Sequence, residues 1–202
     1  MRNPNADPAA RESSAARETR SGGRADATLE RLMAGAQATF SERGYAASNI
    51  HEICARAKVG IGTFYAHFEH KRELLQVLIE RAPRLAAEVS AEDLLDSARI
   101  AARLHKAVDD PVASGLWRAW HEAVLEEPEL ARFHSTLYGD SMKRVADMVA
   151  DARRRAEPRA HRAEPAVVAW TILTVARELG INDRTHAPTV EQLAELIWRL
   201  VV

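Results

Sequence analysis

The side chains most able to do chemistry lie between Ser48 and Lys71. Ser48 and Asn49 are short polar residues, and Ser48 reads as the cap of a helix, its hydroxyl accepting the free amides of the opening turn. Ile50, Ile53 and Ala57 recur at helical spacing and give that helix one apolar face. Val59 and Gly60 mark a break. Gly60 starts a second short helix that carries Ile61, Thr63, Phe64, Tyr65, His67 and Phe68. Two short helices joined by a tight turn do no bond-making chemistry; their chemistry is recognition, with the second helix shaped for the DNA major groove. In that geometry Ser48 and Asn49 suit a phosphate, because free amides and short polar groups meet there. Lys58, in the turn, reaches the backbone or a base edge. Gly60 lets the second helix come close, Ile61 touches a thymine methyl, and Thr63 serves a base or a phosphate. Ile53, Ala57, Val59, Phe64 and Phe68 are core.

The stretch from about Leu32 to Leu75 resembles the DNA-binding domain of the tetracycline-repressor (TetR) family. The residues that carry the resemblance are Leu32, Ala36, Phe40, Gly44-Tyr45, Ser48, Ile50, Ile53, Ala57, Val59, Gly62-Thr63, Tyr65, Phe68, Lys71 and Leu74-Leu75. Two positions depart from the family pattern. Lys58 stands where the family usually has glycine, at a cost of roughly 1 kcal/mol if the backbone is left-handed there. Gly60 stands where a hydroxyl residue is usual, although glycine is an acceptable helix cap. The resemblance implies that Tyr65, His67 and Lys71 contact DNA phosphates. It also implies a homodimeric transcriptional regulator, in most members a repressor, released from a pseudo-palindromic, double-stranded DNA operator by a small-molecule effector. In the family the last two helices usually form the dimer interface.

The elements needed to hold these residues are helical throughout, so the expected fold is all-α with about nine helices. Residues 1–25 show no apolar period and read as a disordered arm. Residues 26–75 form a three-helix helix-turn-helix domain, and residues 76–202 a helical domain for effector binding and dimerisation. Helix 1 is expected over 27–43 with Leu29, Leu32, Met33, Ala36 and Phe40 inward and Gly44 ending it. Helix 4 begins near His70 and meets Pro83, which kinks or ends it. Helix 5 is read as one piece from Ala91 to Val108. Asp110-Pro111 caps helix 6, Pro128 starts helix 7, Ala166 to Leu179 form helix 8, and Thr189 caps helix 9. The last two amphipathic helices suit a four-helix interface with a symmetry mate.

In the second domain, polar residues interrupt apolar faces. His121 follows Trp117 and Trp120, and His134 and Tyr138 stand beside Phe133 and Leu137. One reading is an effector cavity lined by Leu78, Trp117, Trp120, Phe133, Leu137 and Trp170, with hydrogen bonds from His121, His134 and Tyr138. The other is a packed core with satisfied histidines.

Composition narrows the classes. The chain has 202 residues, 47% of them apolar and 28% charged, with a net charge of −1, which argues against indiscriminate electrostatic binding. The single cysteine excludes an intrachain disulfide framework and fits a reducing cytoplasm, where a DNA-binding protein would be nucleoid-associated. Cys54, near Arg56 and Lys58, is either an acidified thiol or a buried small apolar residue. There is no apolar run long enough for a membrane span and no signal-peptide core. No G-x-S-x-G elbow, phosphate loop or G-x-G-x-x-G is present, so neither an enzyme nor a cofactor is expected. No His/Cys spacing suits a metal. A second reading is an effector-independent helical dimer that acts as a protein-interaction module with weak or lost DNA binding.

Overall fold

The computed structural model describes residues 8–82, 89–156, 163–181 and 188–202. Nine α-helices and one 3-10 turn make up the described residues, with no strand among them. They are α1 (Pro8–Arg43), α2 (Ile50–Ala57), α3 (Ile61–Tyr65), α4 (Lys71–Arg81), the 3-10 turn (Asp93–Leu95), α5 (Ser97–Val108), α6 (Pro111–Glu126), α7 (Pro128–Arg155), α8 (Pro165–Ile181) and α9 (Val190–Val201). The arm expected to be disordered is helical from Pro8 onward, continuous with α1. Its alanines and arginines are strong helix formers, and that propensity outweighs the missing apolar period. Residues 1–7 of the arm and the expected kink at Pro83 lie outside the described residues.

The predicted helix 5 is broken. Asp93–Leu95 form the 3-10 turn, and Asp96 then caps α5, its Oδ1 accepting from the amides of Ala98 at 2.8 Å and Arg99 at 3.4 Å. An aspartate offers a helix a better start than a middle, which fixes the break. Two further caps fall where the sequence put them. Asp110 accepts from the Ala113 amide at 3.0 Å, and Thr189 and Gln192 form a reciprocal capping box on α9.

Two apolar cores divide the molecule. The first joins Leu32, Phe40, Ile53, Phe64, Leu74 and Leu75 of the first four helices to Leu116, Ala119, Trp120 and Ala123 of α6 and Leu130 of α7. The second gathers Leu94, Ile100, Leu104, Val145, Val149, Ile172, Ile197 and Val201. Helix α6 therefore shares its interior with the head. α1 packs on both α2 and α6, α4 also meets α6, and α5 pairs with α9. At Gly115 the α1 and α6 backbones touch: a Cβ there would lie 2.5 Å from the Ser41 carbonyl oxygen. Arg118 Nη2 donates to that same carbonyl at 3.0 Å.

The far end of the second core is pinned by Arg153. Its guanidinium donates to the carbonyls of Leu200 (2.8 Å), Val201 (3.2 Å) and Ala163 (2.6 Å), so one side chain closes the C-terminal turn of α9 and holds the start of α8. The indole of Trp198 donates to the Leu95 carbonyl at 3.0 Å and fastens α9 to the 3-10 turn.

Candidate nucleic-acid interface and the joint behind it

The turn between α2 and α3 comes first, because it aims α3. Lys58 closes α2 at φ 54°, ψ 46°, in the left-handed region, as the substitution of lysine for the expected glycine implied. The amides of Lys58 and Val59 return to the carbonyls of Ala55 and Cys54 at 3.2 and 3.0 Å, which closes the helix end. The Lys58 side chain is exposed. Gly60 caps α3 in an extended conformation at φ −73° without a side-chain hydrogen bond. A Cβ at Gly60 or Gly62 would meet nothing within 4 Å, so this face is open.

Helix α3 buries Phe64 and turns Tyr65 and Ile61 outward, 57% and 38% exposed. His67 is exposed and Thr63 half-buried. Tyr65 stands edge-on to Phe64, ring centroids 5.4 Å apart, and that contact sets its direction. Lys58, Gly60, Ile61, Thr63, Tyr65 and His67 thus follow one another along the turn and α3, with open space beside the two glycines. Such a surface offers a donor cation, hydroxyls and an apolar contact to a polyanion with grooves.

Two expected contacts are placed differently. Asn49, not Ser48, caps α2: its Oδ1 accepts from the Glu52 amide at 2.9 Å. Ser48 is 3% exposed and its hydroxyl donates back to the Gly44 carbonyl, so that side chain faces inward and not toward a phosphate. The backbone extends one residue further before the helix begins, and the shorter-reaching serine closes the preceding loop. Lys71 likewise turns inward. Its Nζ donates to the carbonyls of Tyr45 at 2.8 Å and Ser48 at 3.0 Å and lies 4.1 Å from the centre of the Tyr45 ring. Burial lowers its pKa, against the attraction of Glu126, Glu127 and Glu122.

Around Lys71 the structure assembles a polar joint. Gly44 ends α1 at φ 79°. Glu122 Oε2 on α6 then accepts from the Tyr45 amide at 2.6 Å, and Tyr45 donates its hydroxyl to Glu127 at 2.9 Å. Tyr45 is 1% exposed. Burial and the neighbouring Glu127 both push its phenol pKa up, so it stays a donor. A Cβ at Gly44 would lie 2.5 Å from Glu122 Oε2, so a side chain there would displace the carboxylate. Arg72 adds an ion pair to Glu129 at 2.9 Å. Sequence reading counted Tyr45 among the residues that carry the family resemblance but missed Glu122 and Glu127, which lie 77 and 82 positions away and carry no local signal.

The candidate effector residues separate into two groups. Leu78 and Trp120 are buried in the first core, with Trp117, Phe133 and Leu137 packed against it. Trp120 meets Phe133 edge-on at 5.9 Å and donates its indole N–H to His134 Nδ1 at 3.1 Å, which leaves the His134 proton on Nε2. His134 lies between the rings of His121, 5.7 Å away, and Tyr138, 6.0 Å away. Trp170 does not join them. It is 55% exposed on α8, because its neighbours Val168 and Ala169 take the inward positions. Cys54 is buried, and burial raises its thiol pKa, while Arg56 is held by Glu42 at 2.7 Å. The thiol is therefore a packing residue, not an acidified one. Among the described residues no cluster of His, Cys, Asp or Glu is suited to a metal, and no helix is long and apolar enough to cross a membrane.

A helix-turn-helix head thus sits on an all-helical body. Residues 32–78, within the head, match the family model described as bacterial regulatory proteins, tetR family. A stretch of 48 residues is 44% identical to the Transposon Tn10 TetC protein of Escherichia coli. That match spans 24% of this chain and 24% of TetC, so about a quarter of either protein. The chain is similar in fold to Salmonella enterica GusR, with 17% identity, a TM-score of 0.66, and 86% of this chain and 95% of that one covered. It is similar also to SmeT, the repressor of the Stenotrophomonas maltophilia multidrug efflux pump SmeDEF, at 20% identity and a TM-score of 0.59, over 86% of this chain and 87% of SmeT.

Proposed function

We propose that the protein is a homodimeric repressor that binds a pseudo-palindromic operator and releases it when a small-molecule effector occupies the body. One observation carries the reading: the left-handed turn at Lys58 presents α3 with Ile61 and Tyr65 outward, inside the segment that matches the family. Residues 26–75 are the DNA-binding domain and 76–202 the effector and dimerisation domain, with α6 shared between them. Asn49, Lys58, Gly60, Ile61, Thr63, Tyr65 and His67 form the DNA contact set, with Lys71 behind it as the residue that holds the loop. Val167 and Trp170 on α8 and Leu196 on α9 are exposed apolar residues on the last two helices, which supports their use as the dimer face. A two-fold dimer sets its recognition helices roughly 34–36 Å apart, one turn of the duplex. The ring contacts that join Trp120, His121, His134 and Tyr138 support an effector site that begins on α6 and α7. Work on DNA places the protein in the cytoplasm, at the nucleoid.

The test is selection of genomic fragments by the purified protein at about 150 mM salt, where non-specific binding is weak. Enrichment of one pseudo-palindrome supports the reading. No enrichment from a folded dimer, with and without a metabolite extract, overturns it.

A further inference from the structure

Helix α3 reads Ile61-Gly62-Thr63-Phe64-Tyr65 and holds no guanidinium, ammonium or carboxamide. Guanine is read in the major groove by Arg or Lys, and adenine by Asn or Gln. Neither reader is on this helix. The nearby arginines are turned to carboxylates: Arg56 to Glu42, Arg43 to Glu52 and Arg72 to Glu129. Phe64 is buried. The outward chemistry of the helix is one branched alkyl group, one hydroxyl and one phenol. Ile61, 38% exposed, is bracketed by Gly60 and Gly62, beside which a Cβ would find open space to 4 Å, so no neighbouring side chain in sequence stands between its exposed face and an approaching surface. The one base-edge group an isoleucine can engage is the C5-methyl of thymine.

We infer that Ile61 reads one base of each half-site by packing on a thymine C5-methyl group. The inference rests on the DNA-binding reading above and adds what the site reads. The operator then carries a thymine at the position facing Ile61, discriminated by apolar contact and not by hydrogen bonds.

The experiment starts from the enriched palindrome. Each thymine in turn is replaced by uracil, which removes the methyl group and leaves the pairing edge and the O4 acceptor unchanged. One position per half-site is expected to lose about fourfold in affinity, and about fifteenfold with both half-sites replaced, the value of one buried methyl each. In the Ile61→Ala protein the same replacement is expected to cost nothing, because the partner of the methyl is gone. Ile61 is exposed, so this variant keeps the fold, and an unchanged melting temperature checks it. Equal affinity for all the uracil duplexes overturns the inference, as does a penalty that persists in Ile61→Ala or a half-site without thymine. Each of these leaves a specific operator in place, so the function stands. Failure to enrich any palindrome overturns the function, and this inference with it.

Discussion

Lys58 holds the one left-handed non-glycine backbone among the described residues, at the point where α2 hands over to α3. A side chain in that region costs about 1–2 kcal/mol, part of which glycine returns through its looser unfolded chain. Lys58→Gly is therefore expected to stabilise the protein by about 0.5–1 kcal/mol in urea unfolding. It is also expected to lower the salt slope of operator binding by about one unit, as the loss of one phosphate contact does. A variant that is no more stable would show the strain to be absorbed elsewhere. Cys54 gives a second residue-scale expectation. Its buried thiol, with its pKa raised by burial, is expected to react with a disulfide reagent only as fast as the head opens, and at once in urea. Fast labelling of the native protein would contradict this. At this scale the sequence was legible where neighbours decide the outcome. The cap at Thr189 and the burial of Phe64 and Phe68 follow from local pattern, and the left-handed backbone at Lys58 meets the condition that the family resemblance raised. Ser48 and Asn49 exchanged roles because a shift of one residue in the extended entry to α2 decides which side chain faces the free amides.

At the scale of elements, the resemblance indicated α4 as the helix that begins with a phosphate contact, and the structure gives that lysine another duty. Lys71 bonds the carbonyls of Tyr45 and Ser48 and so ties the start of α4 to the link between α1 and α2. Lys71→Met is expected to destabilise the protein by about 2 kcal/mol, from two lost hydrogen bonds to a charged donor. The same variant is expected to leave the salt slope of DNA binding unchanged. A lower slope with unchanged stability would restore the phosphate role. None of this joint could be read from spacing. Glu122 and Glu127 look like ordinary acidic residues near a helix end, and only the fold brings them to Tyr45. The break in the predicted helix 5 was closer to legible, since Asp96 is a ready cap, but the apolar stripe ran through it and concealed it.

At the scale of the molecule, the boundary drawn from the sequence at residue 75 lies close to the end of the family match at residue 78, and the core runs past it. Trp120, fully buried, lies in one interior with Phe40 and Leu74. Pattern reading treats each helix by its own face and cannot tell which distant helix will cover it. That is also why Trp170 was grouped with the Trp120 set, although it belongs to the outer surface of α8. Trp170→Glu is expected to turn a dimer into a monomer in sedimentation while the melting of the head changes little, because the residue lies outside the first core. A variant that stays dimeric would move the interface off α8.

The contact at Gly115 has a mechanical meaning for the whole assembly. With backbone against backbone, Gly115 marks the close approach of α6 to α1, and a tilt of α6 about that point would make it a fulcrum. Glu122 lies seven residues further along α6, a lever arm of about 10 Å at 1.5 Å per residue. A tilt of about 10° would carry it about 2 Å, enough to part its carboxylate from the Tyr45 amide. Trp120 and His121 lie on the same arm between the two points, so with such a tilt a push on them would be magnified where the head is held.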